Sequence, residues 1–331
     1  MKLKIPKEGT KMTIRNSEFV FVKSVKDGIP NRDPLNDSDA RRLFPEEDGR
    51  ISLSDVSVKR DVRDYVLALH PDGGPDKKNF IFVQQVLNDK GKLLGRGGLA
   101  EKIAADAGQT DAFKKDPQSV LLNHSFDIRT FGIVYSVKNV SFHLTGPVQF
   151  GWAHSMHPVD TQYVQGTVVM PSTESAKEGD EGKSQGTIWT TYTLPFAVFA
   201  MPGVINSFHA SKTGMTDEDQ ELLLKALWQG TQHRQARGRG LQQSLFLVHV
   251  EYRDPHYRIG YLEDLIRLLP EREAWIKADK RPSSLQEITL DVSGLLERLE
   301  QEKDRIARCR IWVNPSLAVT GDIDAYRQPL W

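Results

Sequence analysis

The sequence predicts an α+β fold of the ferredoxin-like kind, with strands and helices in the order βαββαβ. Strand-like segments rich in β-branched and aromatic residues lie near both ends of the predicted domain, at residues 18–25 and 244–252. Two segments, 53–69 and 216–228, have the three-and-four spacing of apolar residues that is typical of helices. A long apolar stretch over residues 126–152 supplies the centre. We therefore expect one domain over residues 1–331, interrupted by insertions.

The first strand, EFVFVKSV at residues 18–25, lacks a polar face and is predicted to be buried on both sides of a sheet. Residues 26–52 contain several prolines and many Asn and Asp residues, so we expect a long polar loop. Its acidic residues Asp33, Asp37 and Asp39 could offer oxygen ligands to a divalent cation. Their spacing matches no established metal loop, so we assign no metal site.

The first helix is predicted to begin after Ser54, a good N-cap residue, and to bury its apolar face. Its opposite face carries Lys59, Arg60 and Arg63, which form a compact cationic patch able to bind phosphates. Asp64 lies one turn after Arg60, so an ordinary solvated face with ion pairs is the alternative.

Residues 79–87 are predicted to form the second strand, and residues 88–125 an insertion with a short helix from Leu99. The stretch 126–152 is predicted to be a long, buried strand with a bulge or bend at Lys138-Asn139, where the apolar alternation changes phase. Asp127 and Arg129 precede it and could form a fork for an anionic ligand. A purely structural ion pair is the alternative for these two residues.

Two β-rich arms surround a polar run in residues 161–193, which predicts a β-hairpin that projects from the body of the protein. Such a hairpin could reach a partner, or it could be a tolerated surface excursion.

The second helix begins with Thr216 followed by three acids, and a basic turn follows it. In that turn Arg234, Arg237 and Arg239 are interleaved with Gly238 and Gly240. Glycines let a backbone approach a phosphate chain and arginines supply forked donors, so nucleic-acid binding is favoured here. A flexible basic turn without a ligand is the alternative.

The region after residue 260 is predicted to contain helices at 262–269 and 292–307 and short strands at 288–290 and 310–313. We expect residues 261–331 to form an extension that packs on the main sheet.

Composition excludes several classes of protein. Basic and acidic residues both number 44, so any nucleic-acid site must be local. The single cysteine, Cys309, excludes an internal disulfide framework and fits a reducing compartment. No run is long and apolar enough for a signal sequence or a membrane span, so we expect a cytoplasmic protein without membrane association. No hydrolase, nucleotide-binding or metalloprotease motif is present, and His154 and His157 lack further ligands for zinc.

Several segments together resemble one family. They are NSEFVFVKSVKDGIPNRDP, SDVSVKRDVRDYV, FDIRTFG, LTGPVQFGW and TGMTDEDQELLLKALWQGTQHRQARGRG. In this order they are similar to the Cas seven (Cas7) family, the CRISPR RNA-binding backbone subunits of type I Cascade, with the greatest likeness to type I-B. The resemblance covers roughly residues 17–260 and implies an RRM-like palm with a helical finger insertion and a β-hairpin thumb.

The resemblance also implies site residues. Those that match RNA-contacting segments of the family are Lys59, Arg60, Arg63, Asn31, Arg129, Phe131, Gln149, Trp152, Arg234 and Arg237. Residues 161–193 would be the thumb, with Val169 and Met170 in its first arm. The first loop reads IPNRDP, with Arg32 where the family commonly has glycine, which weakens the assignment of Asn31.

The function implied is non-catalytic. The chain would bind crRNA through phosphates, without a cofactor, and present it for pairing with target DNA. Implied partners are neighbouring copies of itself and the other Cascade subunits (Cas five, Cas eight, Cas six and the small subunit). The alternative is a metal-dependent endoribonuclease that cuts RNA with Asp33, and a third possibility is a regulator that oligomerises without RNA.

Overall fold

The computed structural model describes residues 14–33, 35–36, 39–167, 188–236 and 238–331. The strands in these ranges are β1 (Ser17–Lys26), β2 (Ser52–Leu53), β3 (Gly132–Val137), β4 (Val140–Thr145), β5 (Val148–Phe150), β6 (Ala153–Ser155), β7 (Gln162–Thr167), β8 (Ile188–Thr193), β9 (Phe196–Ile205), β10 (Leu241–Tyr252), β11 (Arg267–Leu269), β12 (Thr289–Asp291), β13 (Ile306–Val313) and β14 (Val319–Thr320). The helices are α1 (Asp55–Leu69), α2 (Arg96–Asp106), α3 (Thr110–Lys115), α4 (Pro117–His124), α5 (Phe126–Phe131), α6 (Ser207–Thr213), α7 (Asp217–His233), α8 (Arg272–Ala278) and α9 (Ser293–Gln301).

A seven-stranded sheet organises the molecule, with the strand order β13-β10-β1-β9-β6-β2 and β5 also paired to β9. Its pairings are antiparallel. Helix α1 follows β1, and α7 connects β9 to β10. The predicted α+β class with antiparallel strands is thus confirmed.

Strand β1 lies in the interior of the sheet, and both of its faces are buried. Phe19 and Phe21 belong to the cluster that includes α1 and α7, whereas Val20 and Val22 belong to the cluster on the opposite face. The second cluster includes residues of β11, β12 and α9, so the region after residue 260 packs on the face of the sheet that α1 and α7 leave free. This double burial explains why the strand has no polar face in the sequence.

A third cluster lies in the segment between α1 and β5. Phe80 and Phe82 pack there with Leu99 and Ile103 of α2 and with Tyr135 of β3. Residues 79–87, predicted to be a strand, are irregular, apart from isolated bridges at Phe80 and Leu87. Phe80 and Phe82 are buried against the helices of the insertion and Ile81 in the main core, whereas Val83 and Leu87 are exposed, so the apolar run arises without a strand.

The predicted strand over residues 126–152 is wrong. Its first six residues form α5, and a two-stranded hairpin of β3 and β4 follows, before β5 joins the main sheet. Lys138 and Asn139 are the two turn residues between the paired Val137 and Val140, and Lys138 has φ of 52°. The phase change therefore marks a tight hairpin turn, because a two-residue connection reverses the chain where a bulge would only bend it.

The other predicted elements agree more closely with the structure. Helices were predicted at 53–69 and 216–228, and α1 and α7 occupy these positions, α7 ending five residues later than predicted. The arms β7 and β8 pair from Gln162–Thr193 to Thr167–Ile188. Residues 262–269 were predicted to be helical, but they form one 3-10 turn and then β11, because Leu268 pairs with Leu290 of β12. The predicted helix over 292–307 ends at Gln301, and β13 begins at Ile306.

Candidate nucleic-acid interface

Helix α1 carries the first group of predicted site residues. Lys59 Nζ lies 2.8 Å from Asp55 Oδ2, and it is also within 5.7 Å and 5.8 Å of the ring centroids of Phe131 and Phe150. Arg60 donates to the Val83 carbonyl at 3.0 Å and pairs with Asp64. These two cations lie at the surface, each with an i,i±4 acid partner that is itself partly exposed.

Arg63 has a different environment, because its partner is buried. Its Nε donates to Asp127 Oδ2 at 2.9 Å, and its guanidinium lies 5.1 Å from the Phe131 ring centroid. Asp127 also accepts from the backbone N–H groups of Phe82 and Val83 at 2.8 Å and 3.0 Å. The carboxylate thus joins α5, the segment 79–87 and α1, a structural task that fixes Arg63 in place.

The predicted fork between Asp127 and Arg129 is wrong. Arg129 instead pairs with Asp219 of α7, with Nε–Oδ2 at 2.8 Å and Nη2–Oδ1 at 2.7 Å. Its Nη1 donates to the carbonyls of Lys78 and Leu122, and its side chain is only 7% exposed. Asp219 in addition forms a capping box with Thr216 at the start of α7. Residues two apart in a strand share a face, but α5 is helical, and the two side chains therefore diverge.

Asn31 lies against the start of α1 and not at an open surface. Its Oδ1 accepts from Ser54 N at 2.9 Å and from Ser54 Oγ at 2.6 Å, which ties the polar loop to the first turn of the helix. Asp33, the loop residue of the nuclease alternative, accepts from Leu35 N at 3.0 Å through Oδ1. Within the described residues, no three His, Cys, Asp or Glu side chains are grouped so as to hold a metal ion.

The residues after β4 separate into two places. Phe150 of β5 packs edge-on against Phe19 at 5.4 Å and lies 6.0 Å from Phe131, so it belongs beside Lys59. Gln149 is exposed, and its Nε2 donates to the Gly146 carbonyl at 2.9 Å. Trp152 is half-buried and lines a cleft of about 730 Å³ between the sheet and the segment that contains β11. The structure thus brings Phe131 to the α1 cations and places Trp152 elsewhere.

The basic turn after α7 is held to α1 by a carboxylate that sequence reasoning overlooked. Asp61 is 1% exposed and accepts from Lys23 Nζ at 2.9 Å, Arg234 Nη1 at 3.0 Å and Arg239 Nη2 at 3.1 Å. Burial lowers the pKa of Lys23 from its ordinary value, and the Asp61 carboxylate opposes that shift. Burial likewise lowers the pKa of Arg239, again against the effect of Asp61.

The turn also lies close to the loop after β1. Ile29 N donates to the Gly238 carbonyl at 2.9 Å, and Arg239 Nη1 donates to the Pro30 carbonyl at 2.7 Å. A Cβ atom added to Gly28 would lie 2.0 Å from Gly240 N, so the two backbones touch. Arg237 lies outside the described residues, as do Val169 and Met170 of the hairpin.

The two histidines considered for zinc are not joined into a site. His157 is buried, its Nδ1 hydrogen-bonds with the Pro158 carbonyl at 2.8 Å, and its Nε2 accepts from Val198 N at 3.2 Å. Burial lowers the pKa of His157 to about 4. His154 instead hydrogen-bonds with Ser52 Oγ at 3.0 Å through Nδ1.

Nowhere in the described ranges does a helix combine the length and apolar character needed to cross a lipid bilayer.

Comparisons with known proteins agree with one another. A family model described as CRISPR-associated protein Cas7 matches residues 15–293. A Haloferax volcanii protein described as CRISPR-associated protein Cas7 is 24% identical over 315 residues, which cover 89% of this chain and 85% of that protein. A chain in the solved structure of a CRISPR RNA-guided surveillance complex, pre-nicking, is similar with a TM-score of 0.55 at 14% identity, covering 96% of each chain. At that identity the structural likeness shows the fold alone.

Proposed function

Since this chain belongs to the Cas7 family of CRISPR-associated proteins, we propose that it binds crRNA as the repeated backbone subunit of a type I Cascade complex. The structural observation that supports this most is the cationic surface of α1, where Lys59 lies 5.7 Å from the ring centroid of Phe131 and Arg60 is its neighbour along the helix. Arg234 of the basic turn is attached to the same helix, through Asp61 and Asp64. Cations with an adjacent aromatic ring suit the phosphates and bases of single-stranded RNA.

Whether a cation can contact RNA or is held in a structural ion pair depends on how deeply its acid partner is buried. The Asp55 and Asp64 side chains, which pair with Lys59 and Arg60, are 33% and 24% exposed. The Lys59–Asp55 and Arg60–Asp64 pairs are partly exposed, and such pairs contribute little to stability, so a phosphate can replace the carboxylate at small cost. Asp127 and Asp219 are 1% and 4% exposed, and their arginines therefore stay with them. We assign phosphate binding to Lys59 and Arg60, and structural roles to Arg63 and Arg129. Arg234 combines both features, because it pairs with the buried Asp61 and with the partly exposed Asp64 and keeps 26% of its side chain exposed, so we assign phosphate binding to its exposed part.

The remaining parts receive assignments by family likeness. The seven-stranded sheet with α1 and α7 would be the RRM-like palm, the helices within residues 88–125 the finger, and the hairpin of β7 and β8 the base of the thumb. Copies of the chain would assemble side by side along the crRNA in the cytoplasm and hold it for pairing with target DNA. The other subunits of Cascade, namely Cas five, Cas eight, Cas six and the small subunit, would complete the complex, whose closest subtype would be I-B.

The experiment that tests this function compares RNA affinity across salt concentrations for Lys59→Gln/Arg60→Gln and for the matched control Lys102→Gln/Lys114→Gln. The control removes two cations of α2 and α3 whose acid partners, Asp106 and Asp111, are 42% and 88% exposed. For single strands the slope of log K against log salt falls by about 0.7 per lost contact, so we expect a decrease of about 1.4 for the α1 variant alone. The decrease should be equal for all RNA sequences. Equal losses in both variants, or a loss confined to certain sequences, would contradict the assignment.

We also propose that the chain is not an enzyme. The nuclease alternative makes one distinct claim, that Asp33→Ala abolishes cleavage of RNA by the purified chain in the presence of Mg²⁺ or Mn²⁺. We expect no cleavage by the unaltered chain, and cleavage that depends on Asp33 would establish the alternative.

A further inference from the structure

Asp61 occupies an unusual place in the proposed RNA surface, because one buried carboxylate serves three cations. Lys23 approaches it from β1, and Arg234 and Arg239 approach it from the basic turn. The carboxylate is 1% exposed and Lys23 is 2% exposed, whereas Arg234 retains 26% of its side-chain surface. Asp61, at the buried centre of this cluster, thus binds one side of each guanidinium, and part of Arg234 still faces solvent.

The charge of the cluster is unbalanced. Arg234 also approaches Asp64 at 3.3 Å, and Asp64 pairs in turn with Arg60. Among the described residues of this cluster, four cations (Lys23, Arg60, Arg234 and Arg239) share two carboxylates. An excess of positive charge at a partly buried site is a good place for an external anion, since screening by solvent is weak there.

The geometry of Arg234 shows where such an anion would bind. Its Nη1 donates to Asp61 and to the Ser57 carbonyl, and its Nε faces Asp64. Within the described part of the chain, its Nη2 makes no hydrogen bond. A planar guanidinium fixed on two sides presents its remaining donors in one direction, which reduces the entropy lost when a phosphate binds.

We infer that Asp61 is a positioning residue for RNA binding: it fixes Arg234 and Arg239 against α1 so that a phosphate oxygen can accept from the outward-facing donors of Arg234. This inference rests on the proposed function and adds a buried acidic residue, Asp61, to the cations that form the RNA surface. Asp61 does not contact the RNA, and the net charge of the cluster stays positive with the carboxylate in place.

The sign of the effect distinguishes positioning from simple electrostatics. Removing a negative charge near an RNA surface strengthens binding if only the field matters. If Asp61 positions Arg234, removing the Asp61 charge instead weakens RNA binding. Asp55→Asn is the matched control, because Asp55 lies on the same helix, loses the same charge, is 33% exposed and pairs with Lys59 instead of with the arginines of the basic turn.

The test measures binding of a single-stranded oligouridine RNA by the full chain, with unfolding followed in parallel. Asp61→Asn leaves Lys23 buried without its carboxylate, so Lys23→Met/Asp61→Asn, which removes both buried charges, is the second variant. Both are expected to bind about tenfold more weakly and to have a reduced salt slope. Asp55→Asn should bind at least as well as the unaltered chain, and Lys23→Met alone should bind nearly as well, because it keeps Asp61. Adding Arg234→Gln to the double variant should cause little further loss, because the contact has already been removed.

The outcomes separate the two claims. If the unaltered chain binds RNA and the folded Lys23→Met/Asp61→Asn variant binds equally well or better, the positioning role is overturned and the proposed function stands. A full additional loss on adding Arg234→Gln would also overturn the role, since Arg234 would then act without Asp61. If the unaltered chain does not bind the RNA at low salt, the proposed function fails, and the positioning role fails with it.

Discussion

Replacement of Arg129 by methionine tests whether this residue stabilises the fold or binds RNA. The guanidinium makes two hydrogen bonds to Asp219 and three to the carbonyls of Lys78, Leu122 and Asn123, in a site where it is 7% exposed. In Arg129→Met, Asp219 keeps only its contacts with Thr216 at the start of α7. Breaking a buried ion pair from one side costs about 3–5 kcal/mol, because the remaining charge is left without compensation.

The assay is urea unfolding of Arg129→Met and of Arg129→Met/Asp219→Leu, together with RNA binding by whatever folds. We expect the single variant to lose about 3–5 kcal/mol of unfolding free energy and the double variant to recover part of it, since it removes the orphaned carboxylate. RNA affinity of the folded protein should change less than about threefold. A stable Arg129→Met variant that has lost RNA binding would refute the structural role and restore the fork to the RNA site.

Two further predictions concern acid sensitivity and close backbone contact. His157 is buried with its pKa lowered to about 4 from 6.5, so the unfolded chain binds the extra proton first, and stability is lost as the pH falls from about 6.5 to about 4. The full loss of unfolding free energy from this group is about 3 kcal/mol. Unfolding measured at several acidic pH values should show that the stability of His157→Gln depends less on pH than that of the unaltered chain. An unchanged dependence would mean that other groups, such as the buried His249, cause the acid sensitivity. Gly28→Ala should destabilise the chain by about 2 kcal/mol or more and weaken RNA binding, because the new methyl group would lie 2.0 Å from Gly240 N, a backbone atom. Gly95→Ala is its control, since a Cβ there meets nothing within 4 Å, and equal effects at both positions would contradict the argument.

The sequence predicted the elements whose side-chain pattern follows directly from burial. Strand β1 and helices α1 and α7 were predicted because each buries a continuous face against the same core. The stretch 126–152 was misread because alternation in a short hairpin resembles alternation in one long strand, and only the tertiary partner distinguishes them. Residues 79–87 were misread because burial against α2 gives an apolar run without strand pairing.

The sequence was sufficient to predict the cations of the candidate site, but not the acids that pair with them. Lys59, Arg60 and Arg234 were identified by residue type and spacing, and the structure attaches Arg234 to α1 through Asp61. The partners of Arg129 and Arg234 lie 90 and 173 residues away in the sequence, so no local pattern could pair them. The acids of the KRDVRD segment were the available signal, since two carboxylates among three cations (Lys59, Arg60 and Arg63) on one helix imply that some cations are already engaged.

The central claim, that this chain is the RNA-binding backbone of a larger assembly, is tested most directly by the nucleic-acid content and mass of the purified protein. The chain is purified alone and together with the products of its neighbouring genes, and the ratio of nucleic-acid to protein absorbance is measured with the mass. The account predicts a large particle that contains several copies of the chain and RNA of defined length. A monomer free of nucleic acid in both preparations at low salt would contradict it.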